Sequence, residues 1–594
     1  MVKKRAGGIV MPTIDMEYRE LQRQLNVEFS DTEAGLEGFD ELLAFVKAEV
    51  KGYCKQDGMV NIEFKDTNRP DLWCVEGLAR ALRGFAGNSH QQQQQVGLKS
   101  YDCLRSSGVE VFVSRELYEI RPYIACAVVK EVQLSDMAIT GLMRLQDKLD
   151  QTYGRCRRKS SIGIYNLDLI KAPIEYTTVK PKEVTFVPLG FTETMSLEKV
   201  LEKHPKGREY GHIVKQHLVY PMLFDAEGKV LSFPPIINSN DLGKVTETSK
   251  NLLVEVTGIS QKNVLNTLNL VVTTLIDQGG KAYTTTIHYP NNSDYKEKQV
   301  ITPNFNSQKL TLNVEYANKL LGLNLTKQRI TGLLKIAGFN TITQTTTENE
   351  ISVLIPCYRI DIMHQVDLIE DIAISYGYNN ITPNWHELPT IGKPKPDQHF
   401  INITRELMIG LGYQEILNTT LTNQETLFTK MNTPQTPHIE IQNPKVTTMT
   451  CLRNQLLPQL IEFLSNNQST EFPQKIYETG KTIHPNQTHE TKTQEEEHLT
   501  AITTHPNANF SEIKATLNSL LTNLGITWQI TPTNHPTYIE GRTGKIIIDN
   551  NQEIGIIGEI SPQVLENWKL ENPTSAFEIN LQKIINKAYK TGFH

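Results

Sequence analysis

Four carboxylates lie within eleven residues of the segment Tyr358–Ile381, which reads YRIDIMHQVDLIEDIAISYGYNNI. They are Asp361, Asp367, Glu370 and Asp371. Apolar residues recur at helical steps from Val366 to Tyr376, which predicts an amphipathic helix that stops at Gly377. The last three acids then share one sector of the helix. Because like charges at this spacing repel, we expect a positive group beside them.

Two interpretations fit this acidic cluster. In the first, acids in the first helical turn complement the helix dipole and are simply solvated. In the second, carboxylate oxygens and water hold a hard divalent cation, and Mg²⁺ suits such a set better than zinc because no His or Cys is among the expected ligands. Asp361 precedes the helix, at the end of a strand-like stretch from which it could approach the other acids. The carboxylate pattern alone leaves both interpretations open.

A second candidate site lies in a predicted strand at Asn251–Gly258. The period of two puts Leu253, Glu255 and Thr257 on one face of the strand. A carboxylate two residues from a hydroxyl on an otherwise apolar strand is costly to bury without partners. Either the strand lies at a sheet edge with Glu255 in water, or the two polar groups belong to a site.

Bulk properties predict a globular cytoplasmic protein of about four domains. The chain has 594 residues, 39% of them hydrophobic, and a formal net charge of −6. Any nucleic-acid contact must therefore come from local basic patches. The seven cysteines form no C-x-x-C pair, which argues against a structural zinc site or a disulfide framework. The sequence shows neither a signal peptide at its basic start nor an apolar run long enough for a membrane span.

Secondary-structure patterns predict an α+β multidomain protein. Residues 98–290 alternate strand and helix signals, with a helix at Met137–Tyr153 and another opened by Ser260. Residues 300–383 carry two short helices with glycine stops and a β segment, which suggests a helix-turn-helix-like module. The low-complexity run at 90–97 predicts a linker. The last part, after a proline-rich joint at Pro389–Pro396, predicts an antiparallel sheet flanked by helices.

An ordered series of motifs resembles the β subunit of phenylalanyl-tRNA synthetases of the archaeal and eukaryotic cytosolic type. The resemblance covers roughly residues 11–581, and one such motif alone would be a weak signal. The motifs are NRPDLWCVEGLARALRG (68–84), GRCRRKSSIGIYNLD (154–168), HPKGREYGHI (204–213), VLSFPPIINSN (230–240), KVTETSKNLLVEVTG (244–258), the acidic segment (358–381), LRNQLLPQL (452–460) and GEISPQVLENWKLENPTSAFEINL (558–581).

The resemblance implies four domains: a B1-like domain and linker at 1–97, a B3/B4 editing domain at 98–295, a helix-turn-helix-like B5 domain at 296–385, and a degenerate class II synthetase catalytic-like domain at 386–594. It implies an α₂β₂ tetramer with an α subunit that attaches phenylalanine to tRNA(Phe) with ATP. It also implies that the acidic cluster (Asp361, Asp367, Glu370 and Asp371) binds Mg²⁺ near the α subunit.

The resemblance further places Glu255 and Thr257 at the catalytic positions of an editing pocket that hydrolyses mischarged Tyr-tRNA(Phe), with Leu223 and Ser232 at its lining positions. A synthetic site for phenylalanine cannot strongly reject an analogue that only adds a hydroxyl, so a second site is needed. We expect Glu255 and Ser232 to read or orient the tyrosine, and Thr257 with backbone amides to position the hydrolytic water. One departure is that relatives often carry His-Asp in place of Tyr165-Asn166.

The last domain lacks legible ATP-binding motifs of class II synthetases. Arg453 has no acidic partner two residues on, and Gly541-Arg542 lacks a preceding G-x-G. We therefore expect aminoacylation on the α chain. The alternatives are a deacylase that acts without an α partner and a scaffold with a non-functional editing pocket. The basic cluster Arg155–Lys159 fits either a solvated helix terminus or contact with the tRNA acceptor end.

Overall fold

The computed structural model describes residues 12–86, 101–103, 105–290, 295, 297–342, 349–385, 390–548 and 551–590. The chain forms two compact units, Met1–Asn384 and Trp385–His594, and is a multidomain α+β protein. The border between the units lies at 384/385, and the predicted domain boundaries at 97/98, 295/296 and 385/386 stay predictions. The predicted linker at 90–97 lies outside the described residues. Among the described helices, none combines the length and apolar character that a membrane span requires.

The first part of unit 1 is a three-stranded antiparallel sheet, in the order β1-β3-β2, with three helices. The turn predicted at Asn68–Asp71 leads through a short 3₁₀ helix, Pro70–Leu72, because proline suits the first turn of a helix. The elements are β1 (Thr13–Glu17), α1 (Tyr18–Leu25), α2 (Glu33–Leu43), β2 (Ala48–Cys54), β3 (Met59–Phe64) and α3 (Val75–Leu82).

A ten-stranded sheet forms the middle of unit 1, in the order β12-β11-β10-β7-β4-β14-β5-β13-β6, with β15 paired to β14. Strands β8 and β9 form a separate pair. The elements are β4 (Ser106–Val113), β5 (Tyr123–Lys130), α4 (Asp136–Gln151), β6 (Ser160–Asn166), β7 (Ile174–Val179), β8 (Thr185–Phe186), β9 (Met195–Ser196), α5 (Leu197–Lys203), α6 (Pro205–Tyr210), β10 (Tyr220–Phe224), β11 (Val230–Phe233), β12 (Ile237–Asn238), β13 (Leu252–Gly258), α7 (Gln261–Asp277), β14 (Lys281–His288) and β15 (Gln299–Thr302).

The two faces of β13 belong to different cores, as its alternation predicts. Leu252, Val254 and Val256 pack in a core with residues of α4 and α7, and this core continues into the N-terminal sheet. Leu253 packs on the opposite face, in a second core. Glu255 and Thr257 share that second face, because side chains alternate along a strand.

The third part of unit 1 is a small sheet, in the order β16-β18-β17, packed against three helices. Gly322, Gly338 and Gly377 follow these helices with positive φ, so the predicted glycine stops are confirmed. The elements are β16 (Gln308–Asn313), α8 (Val314–Leu321), α9 (Lys327–Ile336), β17 (Asn340–Ile342), β18 (Glu350–Ile355) and α10 (Gln365–Tyr376).

Unit 2 contains a seven-stranded sheet, in the order β19-β22-β23-β27-β26-β25-β24, and a separate β20-β21 pair. Helices flank this sheet, as predicted, but its two longest strands, β22 and β23, were not predicted because their sequences are largely polar. The elements are α11 (Pro396–Gly410), β19 (Gln414–Glu415), β20 (Leu421–Thr422), β21 (Cys451–Leu452), α12 (Leu457–Asn466), β22 (Gln474–Pro485), β23 (Thr493–Thr504), α13 (Phe510–Asn523), β24 (Trp528–Pro532), β25 (Tyr538–Ile548), β26 (Gln552–Ile560), α14 (Pro562–Asn567), β27 (Thr574–Asn580) and α15 (Leu581–Lys590).

Candidate functional site

Glu255 lies at the centre of a completely buried strand. All seven residues of β13 are buried, and the strand runs between β5 and β6. The Glu255 side chain is opposite Cys126 on one side and Gly163 on the other. The interpretation that Glu255 is solvated on an edge strand is therefore wrong, because both neighbouring strands are present and only 3% of the residue is exposed.

One of the two carboxylate oxygens of Glu255 accepts a hydrogen bond from a hydroxyl group. The hydroxyl of Tyr165 donates a hydrogen bond to Oε2 of Glu255 over 2.7 Å. The other oxygen, Oε1, is buried and makes no hydrogen bond within the described residues. Burial raises the pKa of Glu255 to about 7, against the opposing effects of the Tyr165 hydroxyl, the Arg121 guanidinium and the Thr257 hydroxyl. The carboxyl group can therefore gain or lose a proton near neutral pH.

Gly163 makes the contact between Tyr165 and Glu255 possible. Tyr165 lies two residues beyond Gly163 on β6, so both face the same side as Glu255. A Cβ atom at position 163 would collide with the Tyr165 hydroxyl and with Oε2 of Glu255. Only glycine leaves room there for the phenol to reach across to the neighbouring strand.

Ser232 and Leu223 come from the hairpin of β10 and β11, where they are register partners. The Tyr165 hydroxyl lies 2.9 Å from Oγ of Ser232, which links this hairpin to Glu255. The sheet curls enough that Asn238, on the edge strand β12, donates a hydrogen bond to the carbonyl of Ile164 on the other edge strand. Strands distant in the sheet order therefore meet around one site.

A cavity of about 300 Å³ lies beside these groups. Glu255, Ser232 and Ser161 line it together with apolar side chains such as Ile162, Ile164 and Phe233. Two of the four predicted editing residues thus reach the cavity, whereas Leu223 is part of the adjacent hydrophobic core and Thr257 lies behind Ser161. A mostly apolar cavity with few polar groups is typical of a small-molecule site.

A buried arginine holds Thr257. Arg121 donates from Nε to Oγ1 of Thr257 over 2.9 Å and from Nη2 to Oγ of Ser161 over 2.9 Å. The same Nη2 also donates to the Thr257 carbonyl. Burial lowers the pKa of Arg121, although Tyr176 and Glu255 oppose this effect. Arg121 thus fixes the positions of both hydroxyls, one of which lines the cavity.

The basic cluster that follows α4 forms an unusual turn. Arg155, Cys156 and Arg157 have φ values of 49°, 53° and 62°, a left-handed conformation that ordinary residues rarely adopt. Arg157 is buried, pairs with Asp150 over 2.9 Å, and donates to the carbonyls of residues 235 and 236 beside the cavity. Arg157 therefore stabilises the cavity wall at residues 235 and 236. Its neighbours Arg155 and Arg158 are exposed.

The acidic cluster does not come together as one set of metal ligands. Arg359 donates from Nη2 to Asp361 over 2.8 Å and to Asp371 over 2.7 Å. Asp367 accepts from the backbone N–H groups of residues 363 and 364 and caps α10. Glu370 pairs with Lys47 over 2.5 Å. Because each carboxylate already has a positive or N–H partner, this arrangement does not fit a shared Mg²⁺ ion, and the magnesium site stays a prediction.

Comparisons with known proteins agree over nearly the whole chain. The family described as "Phenylalanyl tRNA synthetase beta chain CLM domain" matches residues 381–581, and "tRNA synthetase B5 domain" matches residues 310–378. The "Phenylalanine--tRNA ligase beta subunit" of Pyrococcus furiosus is 41% identical over 97% of this chain and 100% of its own length. The chain belongs to the phenylalanine–tRNA ligase β-subunit family. The resemblance inferred from the sequence motifs is thereby confirmed.

Two further relatives support the assignment to this family. The "Phenylalanine--tRNA ligase beta subunit" of Methanocaldococcus jannaschii is 37% identical over 96% of this chain and 100% of its own length. A crystal structure of an N-terminal fragment of the Pyrococcus horikoshii β subunit matches with a TM-score of 0.56 and 37% identity. It covers 62% of this chain and 100% of the fragment.

Three residues that position these groups were not assigned this role from the sequence. Tyr165 was noted only as a departure from relatives, and Arg121 and Arg359 were not noted at all. Arg121 stands in an otherwise apolar stretch, IRPYIACAVV, and Arg359 in the stretch IPCYRIDI, whose one other charged residue is Asp361; a cation in such a stretch must have a partner if it is buried. That signal could have identified both arginines.

Replacement of Tyr165 by Phe removes the hydroxyl that donates to Glu255. The free energy of unfolding should fall by about 1–3 kcal/mol, the usual cost of leaving a buried polar group unsatisfied. The pKa of Glu255 then rises further, so the folded state binds its proton more tightly than the unfolded state does. Stability therefore falls as pH rises from 4.5, the ordinary pKa of a glutamate, through the raised pKa of Glu255. The stability lost by the variant relative to the wild type should be larger at about pH 8 than at about pH 5. Urea unfolding at both pH values measures this.

Tyr176→Phe is the matched control for this prediction. Tyr176 is equally buried, but its hydroxyl donates to the backbone carbonyl of Arg121, which does not titrate. Its loss should cost stability with little dependence on pH. Equal pH dependence in the two variants would contradict the role assigned to the Tyr165 hydroxyl.

Replacement of Arg359 by Gln leaves Asp361 and Asp371 without their cation. Because the arginine and both carboxylates are largely buried, the free energy of unfolding should fall by about 3–5 kcal/mol. Arg329→Gln, at an exposed position of α9, should change it by less than about 0.5 kcal/mol. A small effect of Arg359→Gln, together with stabilisation of the wild type by millimolar Mg²⁺, would instead favour the metal interpretation.

Proposed function

We propose that this chain is the β subunit of a phenylalanine–tRNA ligase and that its ten-stranded sheet carries an editing site for mischarged Tyr-tRNA(Phe). The names of the relatives and their full-length similarity support the first part. The unpartnered carboxylate oxygen of Glu255 beside the cavity is the observation that carries the second. The proposed partners are an α subunit, in an α₂β₂ tetramer in the cytoplasm, and tRNA(Phe).

Attachment of phenylalanine to tRNA, with ATP, is proposed to occur on the α subunit. In unit 2, Arg453 is buried and pairs with Glu478 over 2.6 Å, and Arg542 pairs with Glu559 over 2.5 Å. These are the two arginines whose sequence context comes nearest to the nucleotide-binding positions of class II synthetases. Arg453 is buried against its carboxylate partner and so does not offer its guanidinium to the phosphates of ATP, whereas Arg542 has a carboxylate partner but a largely exposed side chain.

The chemistry of the cavity matches the difference between tyrosine and phenylalanine. The two amino acids differ by one hydroxyl, which needs a hydrogen-bond acceptor when it is buried. Oε1 of Glu255 supplies that acceptor, while the Tyr165 hydroxyl holds the other oxygen in place. A bound phenylalanine would leave Oε1 buried and unpaired, which is the condition under which a site discriminates strongly. Ser232, at the same cavity, can orient the phenol.

Thr257 contributes to the site through its neighbour. Its hydroxyl lies 3.3 Å from that of Ser161, and Arg121 fixes both. We propose that Ser161 and nearby backbone amides hold the hydrolytic water and that Thr257 and Arg121 are positioning residues. This refines the expectation that Thr257 contacts the water itself.

The exposed arginines Arg155 and Arg158 are proposed to contact the phosphates of the tRNA acceptor end. They project from the turn whose buried member, Arg157, braces the cavity wall. The alternative of a scaffold with a non-functional pocket is less well supported, because a scaffold has no need to bury a carboxylate with a free oxygen.

Replacement of Glu255 by Gln tests the editing site in the assembled enzyme. Co-expressed with an α subunit, the variant should charge tRNA with phenylalanine at the wild-type rate, because the reaction occurs elsewhere. Hydrolysis of Tyr-tRNA(Phe) should fall by about 100-fold, which corresponds to about 2.7 kcal/mol. Single-turnover hydrolysis and charging assays measure the two activities.

Glu227→Gln serves as the control, since Glu227 is an exposed glutamate on the adjacent hairpin. It should leave both activities unchanged. If Glu255→Gln hydrolyses Tyr-tRNA(Phe) at the wild-type rate, the editing assignment is wrong. If the β chain charges tRNA without an α subunit, the assignment of aminoacylation to the α subunit is wrong.

A further inference from the structure

A cluster of two histidines and a glutamate lies on the polar face of the unit 2 sheet. His484 is on β22, and Glu496 and His498 are on β23. One possible ligand atom from each residue lies within 4.8 Å of the other two. Strand register places them together, because Thr482 pairs with Glu496 and Gly480 with His498. None of these residues takes part in the proposed editing site.

The orientation of His498 is fixed by a second carboxylate. Nδ1 of His498 lies 2.8 Å from Oε1 of Glu578 on β27, so Nδ1 carries the proton and donates it. The Glu578 carboxylate itself is held by the backbone N–H groups of Leu456 and Leu457. Nε2 of His498 therefore points toward Glu496 and His484.

Nε2 of His498 is buried and has no hydrogen-bond partner within the described residues. It lies 3.8 Å from Oε2 of Glu496, too far for a hydrogen bond. Glu496 is fixed by the side-chain amides of Asn580, over 2.7 Å, and Gln494, over 2.8 Å. A lone pair on Nε2 facing a fixed carboxylate is unfavourable, so a positive species must lie between them. The two candidates are a proton and a metal cation.

We propose that His484, Glu496 and His498 bind a divalent transition metal of the zinc class, with Glu578 as the carboxylate that orients His498. Two imidazoles and one carboxylate, with a water in the fourth position, form a common ligand set for Zn²⁺. A carboxylate that accepts the other N–H of a ligating histidine is the usual support for such a ligand. The cation would join β22 to β23 and, through Glu578, to β27.

The distances suit a metal better than a direct contact. Bonds of about 2.0–2.2 Å in a tetrahedral site place two ligand atoms roughly 3.4 Å apart. Nε2 of His484 lies 4.0 Å from Oε2 of Glu496, and that of His498 lies 3.8 Å from it, so shifts of a fraction of an ångström suffice. His484 is free to make this shift because its side chain is 37% exposed. Its Nε2 lies 3.0 Å from the Thr482 hydroxyl, a contact that the metal would replace.

A proton on His498 is the rival occupant. Burial lowers the pKa of His498, but Glu496 and Glu578 raise it more strongly, to about 9. A metal-free cluster would then be an imidazolium between two carboxylates. The two occupants differ in stoichiometric metal binding and in the part played by His484, which a proton on His498 does not need.

Zinc titration of the full-length chain tests the proposal. After chelator treatment and desalting, calorimetry with Zn²⁺ alone should show one site per chain, occupied at roughly micromolar concentration or below. Co²⁺ should give the intense visible absorption of a tetrahedral site. His484→Gln and Glu496→Gln should each weaken binding at least 10-fold, and Glu578→Gln should weaken it by about 10–100-fold.

His489→Gln is the matched control, because His489 is an exposed histidine in the loop of the same hairpin. It should bind Zn²⁺ as the wild type does. Variants at the buried positions could fail to fold, so His484→Gln, at a half-exposed position, decides the outcome together with the Co²⁺ spectrum of the wild type. Absence of stoichiometric binding by the wild type would overturn the proposal in favour of the proton, and unchanged binding by His484→Gln would overturn it by showing that the metal is held elsewhere.

Discussion

The removal of the Glu255 carboxyl group from water is the constraint on which the candidate site depends. It sits midway along a strand whose seven residues are all buried, where an isolated carboxylate is strongly disfavoured. Tyr165 satisfies one oxygen, and Gly163 makes room for that contact. The other oxygen is buried without a hydrogen-bond partner in the described part of the chain, in a residue that lines the cavity. A strand built for stability alone would carry an apolar residue here, and this cost supports the proposed role of the carboxyl group in recognition.

The same constraint explains the other buried charges. Arg121 makes no ion pair with a carboxylate in the described part of the chain. Its N–H groups instead donate hydrogen bonds to hydroxyl and carbonyl oxygens of the site. Arg359 lies between two carboxylates, and Arg453 has Glu478. In the His484, Glu496 and His498 cluster, the positive species is not a side chain that is always charged. Hence a single physical requirement, that each buried charge has a partner, separates the structural ion pairs from the candidate binding sites.

Local patterns predicted the elements, whereas contacts between distant parts of the chain could not be predicted. The alternation of β13 placed Leu253, Glu255 and Thr257 on one face, and the helical period gave α10, because both depend only on neighbouring residues. The hydrogen bond between Tyr165 and Glu255 joins residues 90 positions apart and depends on strand order, which one sequence does not reveal. The need for a positive group beside the acidic helix was predicted, but Arg359, which supplies it, was overlooked. The polar strands β22 and β23 were not predicted because their apolar residues do not recur at every second position.

The selectivity of hydrolysis tests the central claim most directly, because Glu255 is proposed to bind the hydroxyl group by which tyrosine differs from phenylalanine. The measurement is the ratio of single-turnover hydrolysis rates for tyrosyl-tRNA(Phe) and phenylalanyl-tRNA(Phe), in the assembled enzyme. The wild type should favour the tyrosyl substrate by at least about 100-fold, and Glu255→Gln should bring the ratio close to one. A ratio near one in the wild type, or an undiminished ratio in Glu255→Gln, would contradict the account.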